Sequence, residues 1–66
     1  MTYARPSAEQ PREIAVQSVI DQSIVFCEHV IVERGVTVER RYAAGVPPVF
    51  AVRAQLHQVF INLITN

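Results

Sequence analysis

Several residue types and patterns are scarce or absent in this 66-residue sequence. There is no lysine and no tryptophan, and the six basic residues are all arginines that form no run longer than a pair. A basic arm and a pattern of basic residues interleaved with aromatic ones are both missing, so nucleic acid is not an expected partner. No apolar run approaches ~18 residues and no secretory signal opens the chain, so the sequence predicts no membrane segment and, by default, a cytoplasmic location.

The single cysteine, Cys27, lies within an apolar stretch. One thiol can form neither an intrachain disulfide nor a zinc site, so we expect Cys27 to be a small buried hydrophobic side chain. The two histidines, His29 and His57, are expected at the surface.

The chain divides into a short leading segment and one small domain. Residues 1–12 contain two prolines that disfavour helix, and they are interpreted as a linker. Residues 13–66 form the domain. Within it, residues 13–15 predict a short strand, and residues 16–34 predict a helix because apolar side chains recur at helical spacing.

The end of this helix and the segment after it carry their own signals. Arg34 followed by Gly35 predicts a basic last turn and a left-handed cap. Residues 36–42 alternate between apolar and polar side chains and predict a strand, although Arg40 interrupts the inward face.

The remaining residues predict a turn at 43–48, a very short strand at 49–50 and a second helix from Arg53 to the end. This helix carries an apolar stripe expected in the core, formed by Leu56, Val59, Phe60, Leu63 and Ile64. Another face carries a row of amide side chains, formed by Gln55, Gln58, Asn62 and Asn66.

The predicted fold is of the α/β class, with the element order β-α-β-β-α. Helices packed on one face of a sheet are a stable two-layer arrangement. The last helix has no glycine, proline or basic turn to stop it, which indicates that its layer is incomplete. We therefore expect an incomplete two-layer α/β sandwich.

Four sequence blocks resemble a known family. The stretch Gln55-Leu-His-Gln-Val-Phe-Ile-Asn-Leu-Ile-Thr-Asn66 closely resembles the N box of bacterial histidine kinases, whose pattern is Gln-Leu, Gln-Val, Asn-Leu and a final Asn. Arg34-Gly-Val-Thr-Val38 and Val46-Pro-Pro-Val49 resemble the two segments that precede that box, and Tyr3-Ala-Arg-Pro6 is similar to the tail of the dimerisation helix. The chain thus resembles the N-terminal half of the ATP-binding domain of a two-component sensor histidine kinase.

The resemblance implies the Bergerat ATP-binding fold, with ATP and Mg²⁺ as cofactors and a dimerisation domain and a response regulator as partners. It implies that Asn66 is the magnesium ligand and that Asn62 and Gln58 support nucleotide binding. Asn62 stands where hydrolysing relatives carry a catalytic glutamate. An amide cannot act as a general base, which suits transfer of phosphate to a histidine instead of to water.

The sequence also departs from the family pattern. Val52 occupies the position of a capping aspartate, and neither histidine is directly followed by an acidic residue, as a phosphoacceptor would be. The glycine-containing boxes that hold adenine are not in the sequence. The resemblance implies an ATP-dependent protein histidine kinase, but we expect this chain by itself to be inactive. The alternative is a non-catalytic α/β module that forms a homodimer or docks on another protein.

Overall fold

The computed structural model describes residues 10–66, so most of the linker predicted over residues 1–12 lies outside the described residues. The elements are β1 (Arg12–Ile14), α1 (Val16–Phe26), α2 (Glu28–Glu33), β2 (Val49–Ala51) and α3 (Arg53–Thr65). The mixed α/β class is confirmed. The predicted order β-α-β-β-α is wrong, because the observed order is β-α-α-β-α.

The two strands form a small antiparallel sheet, in which Arg12 lies opposite Ala51 and Ile14 lies opposite Val49. Both strands begin within one residue of their predicted positions. Ile14 is buried, whereas Arg12 is exposed. Each strand leads directly into a long helix, so the strand pair holds α1 and α3 beside each other.

A single stripe of α1 provides most of the fully buried side chains among the described residues. Val19, Ser23 and Cys27 follow each other at intervals of four residues, and all three are buried. The Ser23 hydroxyl donates a 2.8 Å hydrogen bond to the carbonyl oxygen of Val19, which satisfies this buried polar group within the helix. The prediction that Cys27 is a buried hydrophobic residue is confirmed.

The first helix has the predicted extent but is interrupted once. Cys27 has φ −97° and ψ 11°, and its N–H is shared between the carbonyl oxygens of Ser23 at 3.0 Å and Ile24 at 3.2 Å. Such a shared bond tightens the turn, so α1 and α2 meet at Cys27 without a gap in hydrogen bonding.

The predicted stop and left-handed cap at Gly35 are confirmed, whereas the last turn of α2 contains no basic residue, because Arg34 is the C-cap. Gly35 has φ +68°, its N–H bonds to Val32 O at 3.0 Å, and the N–H of Val36 bonds to Ile31 O at 3.1 Å. These two bonds are the pair that defines a Schellman cap.

Residues 36–42 form no strand, so that prediction is wrong. In the described part of the chain the sheet contains β1 and β2 alone, and residues 37–42 make no backbone hydrogen bonds there. Arg40 and Tyr42 nevertheless both contact Asp21 of α1. A strand needs a neighbour for its N–H and C=O groups, and here side-chain contacts position the segment without one.

The apolar stripe predicted as core on α3 is only half covered. Leu56, Phe60 and Ile64 are half-buried, whereas Val59 and Leu63 are 50% and 68% exposed. The face of α3 that packs on α1 is rotated around the helix axis from the predicted stripe. The rotation is about 100°, which is the angle between successive residues of a helix.

The Cα atoms span 47 × 32 × 15 Å. α3 buries one side against α1, while Val59 and Leu63 on its next face remain exposed. No helix within residues 10–66 combines the length and apolar character needed to cross a membrane.

Candidate functional site

The four amide side chains lie on the face of α3 that points away from its packed side, and all four are exposed. Nε2 of Gln58 donates a 3.0 Å hydrogen bond to Oδ1 of Asn62. Asn66 follows one turn later as the residue that ends α3. The structure therefore brings Gln58 and Asn62 into contact, and Asn66 continues the same row without a hydrogen bond to either.

The donor atoms of this face fit a magnesium ion in part. Mg²⁺ prefers oxygen ligands, and the exposed Asn66 offers one amide oxygen, whereas Oδ1 of Asn62 already accepts from Gln58. Among the residues that the structure describes, no three His, Cys, Asp or Glu side chains cluster closely enough to hold a metal. A magnesium ion here would bind Asn66 together with oxygen atoms of a nucleotide.

Most of the amide row lies outside the three principal clefts of the described residues. Gln55 borders an open cleft beside Phe50 and Val59, whereas Gln58, Asn62 and Asn66 border none of the three. These three residues lie on an open, convex helix surface. Residues 10–66 thus present the amide groups of the predicted nucleotide site without an adenine pocket beside them.

His57 is not at the surface, so that prediction is wrong. Its ring is half-buried and makes an edge-to-face contact with Phe26, with centroids 5.6 Å apart. Its Nε2 is buried and has no hydrogen-bond partner among the described residues. The spacing of Arg53, His57, Phe60 and Ile64 is itself helical, and this pattern could have revealed that His57 faces α1. His29 is exposed on α2, as predicted.

Arg53 at the start of α3 forms hydrogen bonds to α1, and no sequence pattern predicted these contacts. Nε and Nη2 of Arg53 donate to Oε1 of Gln22 at 3.1 and 2.6 Å, and Nη2 also donates to Oγ of Ser18 at 3.1 Å. Beside these bonds lies an open cleft of about 370 Å³ between β1, α1 and the first turn of α3, whose lining includes Arg12 and His57. We call it the arginine cleft.

A second, apolar cleft of about 420 Å³ lies between α1, α2, residues 36–39 and the second half of α3. Ile24, Val36, Phe60 and Leu63 are among its lining side chains, and Arg34 and Glu39 also border it. Further apolar side chains are exposed outside this cleft, including Phe26 and Phe50 at 62% and 73%. The described part of the chain therefore leaves an unusually large share of its apolar surface uncovered.

Comparisons of the chain with protein-family models, with curated proteins and with solved structures find no match.

Proposed function

We propose that residues 13–66 form the N-terminal half of the ATP-binding domain of a two-component sensor histidine kinase, which transfers the ATP γ-phosphoryl group to a histidine. The observation that carries the proposal is the outward face of α3, where Gln58 is bonded to Asn62 and Asn66 follows one turn later. An N box needs its amide groups outward and in register, because the nucleotide covers that face of the helix.

Two further observations support the same proposal. An exposed apolar ridge, formed by Val59 and Leu63, runs beside the amide row on α3. The sheet of the described residues also consists of two strands, β1 and β2. Both features agree with an incomplete Bergerat-type sandwich, in which further structure covers the ridge.

Each amide has a distinct part in the proposed site. Asn66 holds Mg²⁺ through its carbonyl oxygen, which adds no negative charge beside a polyphosphate. Gln58 donates to Oδ1 of Asn62 and thereby orients the Asn62 amide. The N–H groups of Asn62 then point away from Gln58 and can donate to a phosphate oxygen. Bound Mg²⁺ neutralises charge on the phosphates. Asn62 cannot take a proton from water, so the site favours transfer over hydrolysis.

The proposal is tested by binding of a fluorescent ATP analogue to the 66-residue chain with and without Mg²⁺. We expect saturable, Mg²⁺-dependent binding that Asn66→Ala weakens at least about tenfold, since a metal ligand is lost. Asn66→Asp keeps an oxygen ligand and retains the Mg²⁺ dependence. Gln17→Ala, which removes an amide from α1 outside the motif, is the matched control. Equal binding by the wild type and Asn66→Ala would contradict the assignment of Asn66.

The second candidate function is a non-catalytic docking or dimerisation module. It is favoured by a different observation, the exposure of large apolar side chains such as Val32 at 71% and Phe50 at 73%. A module of this kind covers its apolar surface with a partner, whereas an isolated half-domain leaves it exposed. Sedimentation equilibrium distinguishes the module from the half-domain, because a homodimer gives one species of twice the chain mass. If Leu63 lies in the dimer interface, Leu63→Glu converts that species to monomer.

A further inference from the structure

The arginine cleft carries positive charge from two different elements. Arg12 lies on β1 directly opposite Ala51, two residues before Arg53, so the strand register places its side chain beside the start of α3. Both arginines line the cleft, and none of its lining residues is acidic. Two cations that share a cleft without a carboxylate create a local field that attracts anions.

Arg53 is held in place by neutral partners alone. Its Nε and Nη2 donate to Gln22 and Ser18, which orient the guanidinium plane but do not cancel its charge. The described residues give Nη1 no partner, so its two N–H groups are the donors still available. A guanidinium group already fixed in one orientation loses less side-chain freedom when it binds an anion than a free surface arginine does.

Within residues 10–66, the carboxylates of Glu13 and Asp21 do not neutralise this pair. Asp21 precedes Gln22, but its Oδ1 accepts from Arg40 and from Tyr42. Glu13 follows Arg12 on β1, and successive side chains of a strand point to opposite faces. The cations of the cleft are therefore not committed to protein anions within residues 10–66.

The first turn of α3 adds a third positive contribution at the same place. Val52 caps the helix without a side-chain hydrogen bond, and the first turn contains no acidic residue. The first backbone hydrogen bond of the helix comes from Gln55, so the N–H groups of Arg53 and Ala54 have no intrahelical partner. Val52, Arg53 and Ala54 all line the cleft, so the positive end of the helix dipole lies at its edge.

We infer that the arginine cleft binds a phosphate-type dianion, either inorganic phosphate or a phosphomonoester. Arg12 and Nη1 of Arg53 contribute charge-assisted hydrogen bonds, and the first turn of α3 contributes backbone donors. The planar guanidinium group matches the spacing of two phosphate oxygens, which favours phosphate over a spherical anion such as chloride. Gln58, Asn62 and Asn66 do not line this cleft, and Asn66 lies about 20 Å along α3 from Arg53, so the inference does not depend on the proposed kinase function.

The experiment is a titration of the ¹⁵N-labelled 66-residue protein with inorganic phosphate, followed by two-dimensional NMR. Sodium chloride at matched ionic strength gives the reference. We expect saturable shifts of the Arg53 Nε–H resonance and of the Arg53 and Ala54 backbone amides with phosphate and not with chloride. A parallel titration with methyl phosphate distinguishes a site open to phosphomonoesters from one that accepts only the free ion.

Two variants and one control complete the test. Arg12→Gln and Arg53→Gln are each expected to weaken phosphate binding about tenfold, the usual consequence of losing one charge-assisted hydrogen bond. Arg41→Gln makes the same change of charge at a side chain that is bonded to Glu39 and does not line the cleft. Arg12 has no side-chain hydrogen bond to lose within the described residues, so this variant remains informative if Arg53→Gln unfolds. Shifts that match the chloride reference, or an equal loss in Arg41→Gln, would overturn the inference.

Discussion

The phenol hydroxyl of Tyr42 donates a 2.8 Å hydrogen bond to Oδ1 of Asp21, a residue 21 positions earlier in the chain. The same oxygen accepts from Nε of Arg40 at 2.9 Å. Asp21 therefore anchors the extended segment after Gly35 to α1, although that segment has no strand partner among the described residues. The anchor consists of exposed and half-exposed groups, so it is the part of the fold most open to changes of pH and salt.

The Tyr42 anchor is expected to weaken at alkaline pH. Partial burial, the hydrogen bond to Asp21 and the carboxylate's negative charge raise the pKa of the Tyr42 phenol above its ordinary value. Since the folded-state pKa lies above the unfolded one, the stabilisation is complete below the unfolded pKa of about 10 and is lost as the pH rises through the folded value. In a Tyr3→Phe background, tyrosinate absorbance should titrate at higher pH than in the urea-unfolded chain. Coincident titrations would show that the bond does not persist in solution.

Arg40 and Arg41 are neighbours that should differ in their effect on stability. Arg40 binds Asp21 across the fold, whereas Arg41 binds Glu39 two residues away. Arg40→Gln is expected to lower the free energy of unfolding by about 0.5 kcal/mol, and Arg41→Gln by close to zero, because exposed local pairs contribute little. Urea unfolding at low and high salt measures both. The difference between the variants should shrink in high salt, and a larger effect for Arg41→Gln would refute the assignment of the anchor.

Replacing His57 by leucine should stabilise the protein. The His57 ring packs against Phe26, but its Nε2 is buried without a partner in the described part of the chain. Leucine keeps apolar contact and removes the unsatisfied nitrogen, which is expected to raise the free energy of unfolding by about 1 kcal/mol. His29→Leu on the exposed face of α2 is the matched control and should give no gain. A destabilised His57→Leu protein would mean that Nε2 has a partner in solution.

A capping residue at position 52 should also stabilise the fold. Val52 has φ −88° and ψ 118°, the extended conformation of a helix N-cap, but its side chain cannot accept a hydrogen bond. Val52→Asp is expected to add about 1 kcal/mol to the free energy of unfolding by accepting from a free N–H of the first turn. Val52→Ala, which also lacks an acceptor, is the control. The aspartate places a negative charge in the arginine cleft, so the same variant should bind phosphate less tightly.

Local signals in the sequence predicted both helical segments and the stop at Gly35, but not the interruption at Cys27. The Schellman cap at Gly35 and the uncapped start of α3 at Val52 follow from single residues whose backbone preferences are strong. The buried stripe through Cys27 follows from helical spacing within α1. In each case the interactions involved lie within a few residues of one another.

Properties that depend on neighbours could not be predicted in the same way. The alternation in residues 36–42 predicted a strand, but a strand requires a second strand, and the described chain supplies α1 at that place. The sequence did not predict the rotation of α3, because this helix has two apolar faces and either could pack against α1. Val59 and Leu63 are as hydrophobic as Phe60, and only contact with α1 selects between them.

The sequence by itself determined that residues 16–34 and the segment from Arg53 onward are mainly helical, that the first segment stops at Gly35, and that the amide groups of Gln58, Asn62 and Asn66 share one face of α3. These features depend on local backbone preferences and on helical periodicity. Only the tertiary structure decided that His57 faces inward and that Asp21 binds both Arg40 and Tyr42. It also decided that Arg12 and Arg53 line the same cleft. These relationships join residues that are distant in the chain, and they arise from the pairing of β1 with β2 and the packing of α1 against α3.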